Sequence, residues 1–251
     1  MAVIAPRVIE ERLTSLIREL GSPEPLACCA GAAGAEVPAG RLRLERLLAR
    51  LLPRSRVTVV HDARLVLAAA GLDEGIAVIA GTGSVAYSRA ADGREVRAGG
   101  WGWLLGDDGS GVWVVREAAR ELMRRRDAGA PPGRLGEALM AATGTREILE
   151  LTGRLHSFRE PGRWAALSGV VFQSADDDPA AAEIVSRAAD GLAALVEDVR
   201  ARLSIQDPVV LAGGLLLNEA RLESLVRERV GGAQRLSNPA VAGAVRIAES
   251  L

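Results

Sequence analysis

The clearest chemical feature of the sequence is a short glycine-rich turn that follows a buried strand. The stretch AVIAGTGSVAYS, residues 77–88, predicts a strand, a turn over Gly81, Thr82, Gly83 and Ser84, and a second strand. Backbone N–H groups in such a turn can surround a phosphate. A plain tight hairpin is the alternative, because glycine and serine are also common in turns.

A second stretch, GGWGWLLGDDGSGVW at residues 99–113, combines glycines, tryptophans and two adjacent carboxylates. Glycine makes the backbone more flexible, which opposes folding. A stretch this rich in glycine therefore indicates positions that need a positive φ or a close approach of the backbone. Asp107 and Asp108 could cap the helix predicted near Gly111. One of them could instead face a ligand, and we expect Asp107 to be that residue.

The tryptophans of this stretch have two available roles. Trp101, Trp103 and Trp113 could stack on a sugar ring or fill the core. Trp113 falls within a predicted helix, so we expect it in the core.

One aspartate follows the β-branched strand predicted at residues 57–60, within the sequence VVHDA. Asp62 starts or caps the next predicted helix, and an ordinary N-cap explains it. The carboxyl end of a parallel strand is also where α/β proteins place their sites. A carboxylate there could act as a general base. We expect His61 to be structural or to line a cleft.

The predicted secondary structure around these residues differs between the first part of the chain and the part that follows. Helices and strands alternate up to residue 70, which predicts a parallel βαβ arrangement. Its strands are expected at 26–30 and 57–60, with a loop over Gly31–Gly34. Antiparallel strands are predicted next, at 76–80, 85–88 and 95–98.

The rest of the chain is predicted to be mainly helical, with helices at 112–126, 134–142, 145–155, 163–175, 179–203, 218–230 and 239–251. One further strand, 208–212, ends in Gly213 and Gly214. The runs Arg124–Arg126 and Asp176–Asp178 are expected to be a solvated helix end and a loop with a cap. A strand-rich first third and a helix-rich remainder predict two lobes with a cleft between them.

Composition narrows the class of protein. Of the 251 residues, 49% are hydrophobic and the net charge is −1, which predicts a folded protein with no affinity for nucleic acid or anionic membranes. All 31 basic residues are arginine, so a P-loop lysine or a Schiff base is excluded. The adjacent Cys28 and Cys29 are expected to be buried, reduced thiols.

The sequence contains no apolar run typical of a signal peptide or a membrane-spanning helix. A cytoplasmic location is therefore expected.

Four motifs occur in a fixed order: GTGS at 81–84, GGWG at 99–102, GDDGS at 106–110 and LAGG at 211–214. Together with VVHDA and PAVAGA at 239–244, they resemble the N-acetylglucosamine kinase family. That family belongs with the BadF/BadG/BcrA/BcrD ATPases in the sugar kinase, Hsp70 and actin superfamily. The resemblance implies an α/β, two-lobed RNase H-like fold. Its N-terminal lobe would be residues 1–73 with the closing helix 240–251, and its C-terminal lobe residues 74–239.

The resemblance also implies ATP-dependent phosphorylation of an amino-sugar hydroxyl, with ATP and Mg²⁺ bound. Asp62 would be the general base that takes the hydroxyl proton. The turn Gly81, Thr82, Gly83 and Ser84 would be the second phosphate loop, and Gly213 with Gly214 the adenosine motif. Asp107, with Gly100, Trp101 and Gly102, would lie beside the sugar. The implied partner is a small sugar, and a homodimer is a possible assembly.

The sequence departs from the family at its start. Family members open with a strand and an acidic phosphate loop of the DGGGTKT kind, which contacts the β- and γ-phosphates and supplies an aspartate for Mg²⁺. That loop lies several tens of residues before an LAGV-like segment, which here is CCAGAAGAE, residues 28–36. One predicted helix precedes the segment, and neither the phosphate loop nor the opening strands are found. We therefore expect an incomplete N-terminal lobe and assign no metal ligand.

Two alternatives to the kinase remain open. One is a non-catalytic sugar- or nucleotide-binding relic of the family. The other is an activator ATPase of the 2-hydroxyacyl-CoA dehydratase kind, which needs cysteines for an iron–sulfur cluster. Cys28 and Cys29 are not spaced for that role.

Overall fold

The structure, a computed structural model, describes residues 6–35, 37–204, 206 and 208–251. Residues 1–5 of the predicted N-terminal lobe and Glu36 of the CCAGAAGAE stretch lie outside the described residues. The chain divides into two compact units. The first contains the residues up to Asp73 together with Leu236–Leu251, and the second is Glu74–Arg235.

The described helices are α1 (Pro6–Glu19), α2 (Pro38–Leu51), α3 (Asp62–Ala69), α4 (Gly111–Asp127), α5 (Gly133–Thr143), α6 (Ile148–His156), α7 (Pro161–Ala165), α8 (Ser168–Ser174), α9 (Pro179–Leu203), α10 (Gly214–Asn218), α11 (Ala220–Arg229) and α12 (Ala240–Glu249). The described strands are β1 (Ala27–Ala32), β2 (Arg56–His61), β3 (Gly75–Ala80), β4 (Ser84–Arg89), β5 (Glu95–Gly99), β6 (Val209–Ala212) and β7 (Gln234–Arg235).

The first unit is built on two parallel strands. β1 and β2 pair from Ala27 opposite Arg56 to Ala32 opposite His61, which confirms the predicted βαβ arrangement. β1 runs two residues further than expected, so the predicted loop over Gly31–Gly34 is wrong for its first two residues. The reason is that β2 continues to His61 and supplies pairing partners for both.

Helices α3 and α12 pack closely in this unit. Gly243 of α12 lies where a Cβ atom would overlap the Leu65 carbonyl of α3, so only glycine permits this approach. Val60, Leu65 and Ile247 share the small core that results. Cys28 and Cys29 are free thiols on β1 and are half-buried rather than buried, because β1 pairs with one strand only among the described residues. Partial burial raises the pKa of both thiols.

The second unit contains a five-stranded sheet in the order β5-β4-β3-β6-β7. β3, β4 and β5 form the predicted antiparallel meander, whereas β6 runs parallel to β3. One hydrophobic cluster joins β3, β4 and β6 to helices α4 and α9. The long helix α9 begins as predicted, with Asp178 as its N-cap and Pro179 in its first turn. On its apolar face Ile184, Ala188, Leu192 and Val199 are buried.

Two helix predictions in this unit are wrong in detail. Residues 163–175, predicted as one helix, form α7 and α8, because the amides of Leu167 and Val170 bond to carbonyls three residues back instead of four. Residues 218–230 were predicted as a helix capped at Asn218. The chain instead enters α10 directly after Gly213, whose φ of 92° turns it out of β6, and α11 starts at Ala220.

An ion pair in the second unit is buried, and the sequence did not predict it. Arg124 and Arg126 are exposed as expected, but Arg125 turns inward and donates to Asp178, with its Nη2 atom 2.9 Å from Oδ1 and its Nη1 atom 3.1 Å from Oδ2. The Asp178 side chain is 4% exposed. It also accepts from the amides of Ala180 and Leu135, so it ties three helices together.

Over the residues that the structure describes, no helix is both long enough and apolar enough to cross a bilayer.

Candidate functional site

The predicted phosphate turn and the LAGG glycines lie side by side in the second unit. β3 and β6 are parallel neighbours with Ile79 opposite Ala212, so their carboxyl ends meet at one edge of the sheet. A Cβ atom at Gly213 would overlap the Ala80 carbonyl, and one at Gly81 would lie 3.8 Å from the Gly214 nitrogen. The two glycine motifs, 130 residues apart in sequence, therefore form one continuous backbone surface at the edge where α/β proteins bind ligands.

Hydrogen bonds fix the shape of the turn. The Gly81 amide donates to the Gly83 carbonyl at 2.9 Å, and the Gly111 amide donates to the Gly81 carbonyl at 2.9 Å. The buried Ser84 hydroxyl donates to the Asp108 carbonyl at 2.7 Å. No partner for the amides of Thr82 and Gly83 occurs among the described residues. These two N–H groups could therefore donate hydrogen bonds to an anion.

Asp107 connects the turn to the GGWG segment. Its side chain is buried, its φ is 60°, and its Oδ1 atom accepts from the Gly102 amide at 3.3 Å. Burial raises the pKa of Asp107, and hydrogen bonds from the amides of Gly102 and Ser84 partly oppose that rise. A carboxylate has about four acceptor sites, so the two amide bonds leave capacity for a ligand hydroxyl.

Asp108 is exposed, and neither aspartate caps the helix that follows. Ser110 is the N-cap of α4, and its hydroxyl accepts from the Trp113 amide at 3.2 Å. The alternative that Asp107 or Asp108 serves as the helix cap is therefore wrong. Serine directly before a helix is a common N-cap, so the sequence contained the signal.

Trp113 and Trp101 have different environments, one in the core and the other at the surface. Trp113 is buried in the core cluster, as predicted. Trp101 is 68% exposed, with the Arg97 guanidinium 5.0 Å from its ring centroid. Gly100 and Gly102 have positive φ values of 67° and 87°, so this segment is a tight turn that presents Trp101 outward.

Asp62 belongs to the first unit, where it starts α3 immediately after β2. The N-cap is His61, whose Nδ1 atom accepts from the Ala63 amide at 3.1 Å. Asp62 Oδ1 accepts from the same amide at 2.9 Å, and the side chain is 50% exposed. This hydrogen bond fixes the carboxylate while leaving oxygen lone pairs open to solvent. The other predicted site residues all lie in the second unit.

The two glycine motifs offer backbone amides to a ligand, and the described residues contain no cluster of metal-ligating side chains beside them. The glycines at 81, 83, 213 and 214 leave a cradle of bare backbone with two uncommitted amides. No group of three His, Cys, Asp or Glu side chains suited to a metal is found in the described part of the chain. Mg²⁺ commonly binds through one or two carboxylates plus substrate phosphates, so such a cage is not required for it.

The close contact between Gly83 and Asp107 gives a testable prediction. A Cβ atom at Gly83 would lie 2.6 Å from Asp107 Oδ2, so Gly83→Ala should push the carboxylate away from the Gly102 amide. We expect a loss of about 1–3 kcal/mol in the free energy of unfolding, the usual range for overpacking. Urea denaturation measures this loss.

Gly81→Ala is the matched control for stability. Its new methyl group would meet only the Gly214 nitrogen, at 3.8 Å, which is an ordinary contact. We expect Gly81→Ala to leave the free energy of unfolding unchanged or to raise it by up to about 1 kcal/mol. Equal destabilisation by both substitutions would contradict the assigned packing of Asp107 on the turn.

Comparison with solved structures defines the class of protein. The structure of a candidate N-acetylglucosamine kinase from Chromobacterium violaceum matches with a TM-score of 0.73 at 24% identity, over 94% of this chain and 82% of that one. The chain thus has the α/β, two-lobed RNase H-like fold of sugar kinases and actin-like ATPases. Within that class, the model of the BadF/BadG/BcrA/BcrD ATPase family matches residues 5–246. The chain belongs to this family, as the order of its motifs predicted.

Two curated relatives are named as sugar kinases. The N-acetylmuramic acid/N-acetylglucosamine kinase of Clostridium acetobutylicum is 37% identical over 125 residues, which are 48% of this chain and 40% of that protein. The N-acetyl-D-glucosamine kinase of Dictyostelium discoideum is 25% identical over 212 residues, 80% of this chain and 66% of that protein. The matched stretches therefore span less than two thirds of the length of either relative.

Proposed function

We propose that this chain is an ATP-dependent kinase of the N-acetylglucosamine type, which transfers the γ-phosphoryl group of ATP to an amino-sugar hydroxyl to give a sugar 6-phosphate. The observation that carries the proposal is the joining of three motifs in the second unit. The phosphate turn, the LAGG glycines and the buried Asp107 adjoin one another at one sheet edge, in a family whose curated relatives are named as kinases for this sugar.

On the nucleotide side, the amides of Thr82 and Gly83 would bind phosphate oxygens. Their freedom from internal hydrogen bonds supports this role, and positively polarised N–H groups are the natural anion ligands in a chain without lysine. Gly81 and Ser84 would shape the turn, and Gly213 and Gly214 would admit the nucleotide close to the backbone. ATP supplies the phosphoryl group, and Mg²⁺ would bind mainly through its phosphates.

On the sugar side, Asp107 would accept hydrogen bonds from sugar hydroxyls, with Gly100, Trp101 and Gly102 forming the adjoining turn. Asp62 would be the general base that removes the proton of the attacking hydroxyl. Its support is its place after a parallel strand, where one hydrogen bond orients the carboxylate and solvent still reaches it. We further propose a cytoplasmic enzyme whose only required partners are small molecules.

A second candidate is a sugar-binding module that does not use ATP. Its support is the sequence, in which no acidic phosphate loop of the DGGGTKT kind is found. Isothermal titration calorimetry on the full chain separates the two candidates. The kinase proposal predicts binding of both N-acetylglucosamine and a non-hydrolysable MgATP analogue, whereas the module predicts sugar binding alone.

The activator ATPase alternative has less support. Successive residues of a strand point to opposite faces, so the neighbouring Cys28 and Cys29 of β1 do not converge on one cluster. Anaerobically purified protein should therefore be colourless. A brown, iron-containing preparation would favour that alternative over the kinase.

A further inference from the structure

Arg116 is a side chain of α4 that contacts the segment next to the proposed sugar site. Its Nη1 atom donates to the carbonyl of Trp103 at 2.8 Å. Its side chain is largely buried, at 24% exposure, and its Nε atom has no hydrogen-bond partner among the described residues. The Nε atom lies 4.0 Å from Glu117 Oε1, so the guanidinium joins the Trp103 carbonyl to a buried carboxylate of its own helix.

The segment that Arg116 contacts has little packing of its own. Within residues 101–106, Trp101, Leu104 and Leu105 are 68%, 71% and 87% exposed. The amides of Leu105 and Gly106 both bond back to the Gly102 carbonyl, which closes the segment into a compact turn. We call residues 101–106 the apolar turn.

Side chains outside the apolar turn hold it through two hydrogen bonds, and the Arg97 guanidinium also packs on the Trp101 ring. Asp107 accepts from the Gly102 amide at its start, and Arg116 donates to the Trp103 carbonyl near its middle. A hydrogen bond from a charged donor is roughly twice as strong as a neutral one. Burial raises the pKa of Asp107, and the charge of Arg116 opposes that rise to a small extent.

The helix that carries Arg116 is itself fixed to the phosphate turn. The Gly111 amide at the start of α4 donates to the Gly81 carbonyl. The residue after Arg116 is the buried Glu117. Its carboxylate accepts from Arg120 Nη1 at 2.6 Å and from Arg187 Nη2 of α9 at 3.2 Å. Arg116 thus extends from a rigid frame to a weakly packed turn.

We propose that Arg116 is a positioning residue, which holds the apolar turn so that Gly102 and Asp107 keep the arrangement that binds sugar. The part that concerns sugar rests on the proposed kinase function. Among the described residues, no hydrogen bond or ion pair joins Arg116 to Asp107 or to the turn at residues 81–84. Its effect should therefore fall on sugar affinity and not on ATP affinity.

The test combines hydrogen exchange with kinetics on the full chain. In Arg116→Ala, the amides of residues 102–106 should exchange at least about 10-fold faster, with β3 unchanged as a measure of global folding. The KM for N-acetylglucosamine should rise about 10-fold, while the KM for ATP and kcat stay within about 3-fold. Arg116→Lys keeps one charged donor and should recover part of both effects.

Arg120→Ala is the matched control, because Arg120 shares Glu117 but does not contact the apolar turn. It should leave the exchange of residues 102–106 and the sugar KM within about 2-fold of the wild type. Unchanged exchange in Arg116→Ala, or an equal effect in Arg120→Ala, would overturn the proposal. If the wild type phosphorylates no sugar, the proposed function fails, and the exchange data alone then uphold or overturn the positioning of the turn.

Discussion

Replacing Asp62 by asparagine should lower the turnover of sugar phosphorylation by about 100- to 10,000-fold, the range that a positioned general base contributes. Asparagine retains a side-chain oxygen that can accept from the Ala63 amide, so the start of α3 should be preserved. What it loses is the ability to take a proton at neutral pH. Sugar and nucleotide affinities should stay within about 3-fold of the wild type, so the deficit should appear in kcat.

Asp73→Asn is a suitable control for Asp62→Asn. Asp73 belongs to the same unit, follows α3 and makes an exposed ion pair with Arg246 at 3.4 Å. Exposed pairs contribute little to stability, so the variant should keep turnover within about 2-fold. An Asp62→Asn enzyme that folds normally and retains more than a tenth of wild-type kcat would remove Asp62 from the catalytic role.

Asp178→Ala should destabilise the second unit by about 3–5 kcal/mol, because the largely buried Arg125 loses its buried partner and keeps only the Glu121 carboxylate, 3.0 Å from its Nε atom. The substitution also removes the cap of α9 and the acceptor for the Leu135 amide. Urea denaturation measures the change in the free energy of unfolding. Asp177→Ala, at the exposed neighbouring position, should change it by less than about 0.5 kcal/mol.

The acid sensitivity of the wild type checks the same ion pair. Hydrogen bonds from Arg125 lower the pKa of Asp178 from 3.8 to about 2. A carboxylate whose pKa is lower in the folded state stabilises the protein fully above the unfolded pKa, and this stabilisation is lost as the pH falls from about 4 towards 2. The shift corresponds to about 2–3 kcal/mol. The difference in stability between wild type and Asp178→Ala should therefore shrink over this range, and a constant difference would contradict the assignment.

The sequence predicted most of what depends on local pattern. The β3–turn–β4 hairpin, the parallel pair β1 and β2, and the start of α9 follow from apolar alternation, glycine placement and an Asp-Pro cap. The strands, the turn and the cap are recognisable from residues close in sequence, and the helix between β1 and β2 favours their parallel pairing. The order of four glycine-containing motifs also predicted the family, which the match over residues 5–246 confirms.

Contacts between distant residues were beyond prediction from one sequence. Arg125 and Asp178 are 53 positions apart, and nothing in the run Arg124–Arg126 distinguishes the middle arginine. Its inward direction is set by the rotation of α4 against α9. The bond from Arg116 to the Trp103 carbonyl is of the same kind, since a main-chain acceptor leaves no trace in residue type.

The most direct test of the proposed function is product analysis by ³¹P NMR. Full-length protein would be incubated with MgATP and N-acetylglucosamine, and the reaction compared with one that lacks sugar. We predict a sugar 6-phosphate resonance that grows in step with ADP, depends on the sugar and falls at least about 100-fold in Asp62→Asn. No phosphorylated product from N-acetylglucosamine or related amino sugars would contradict the account.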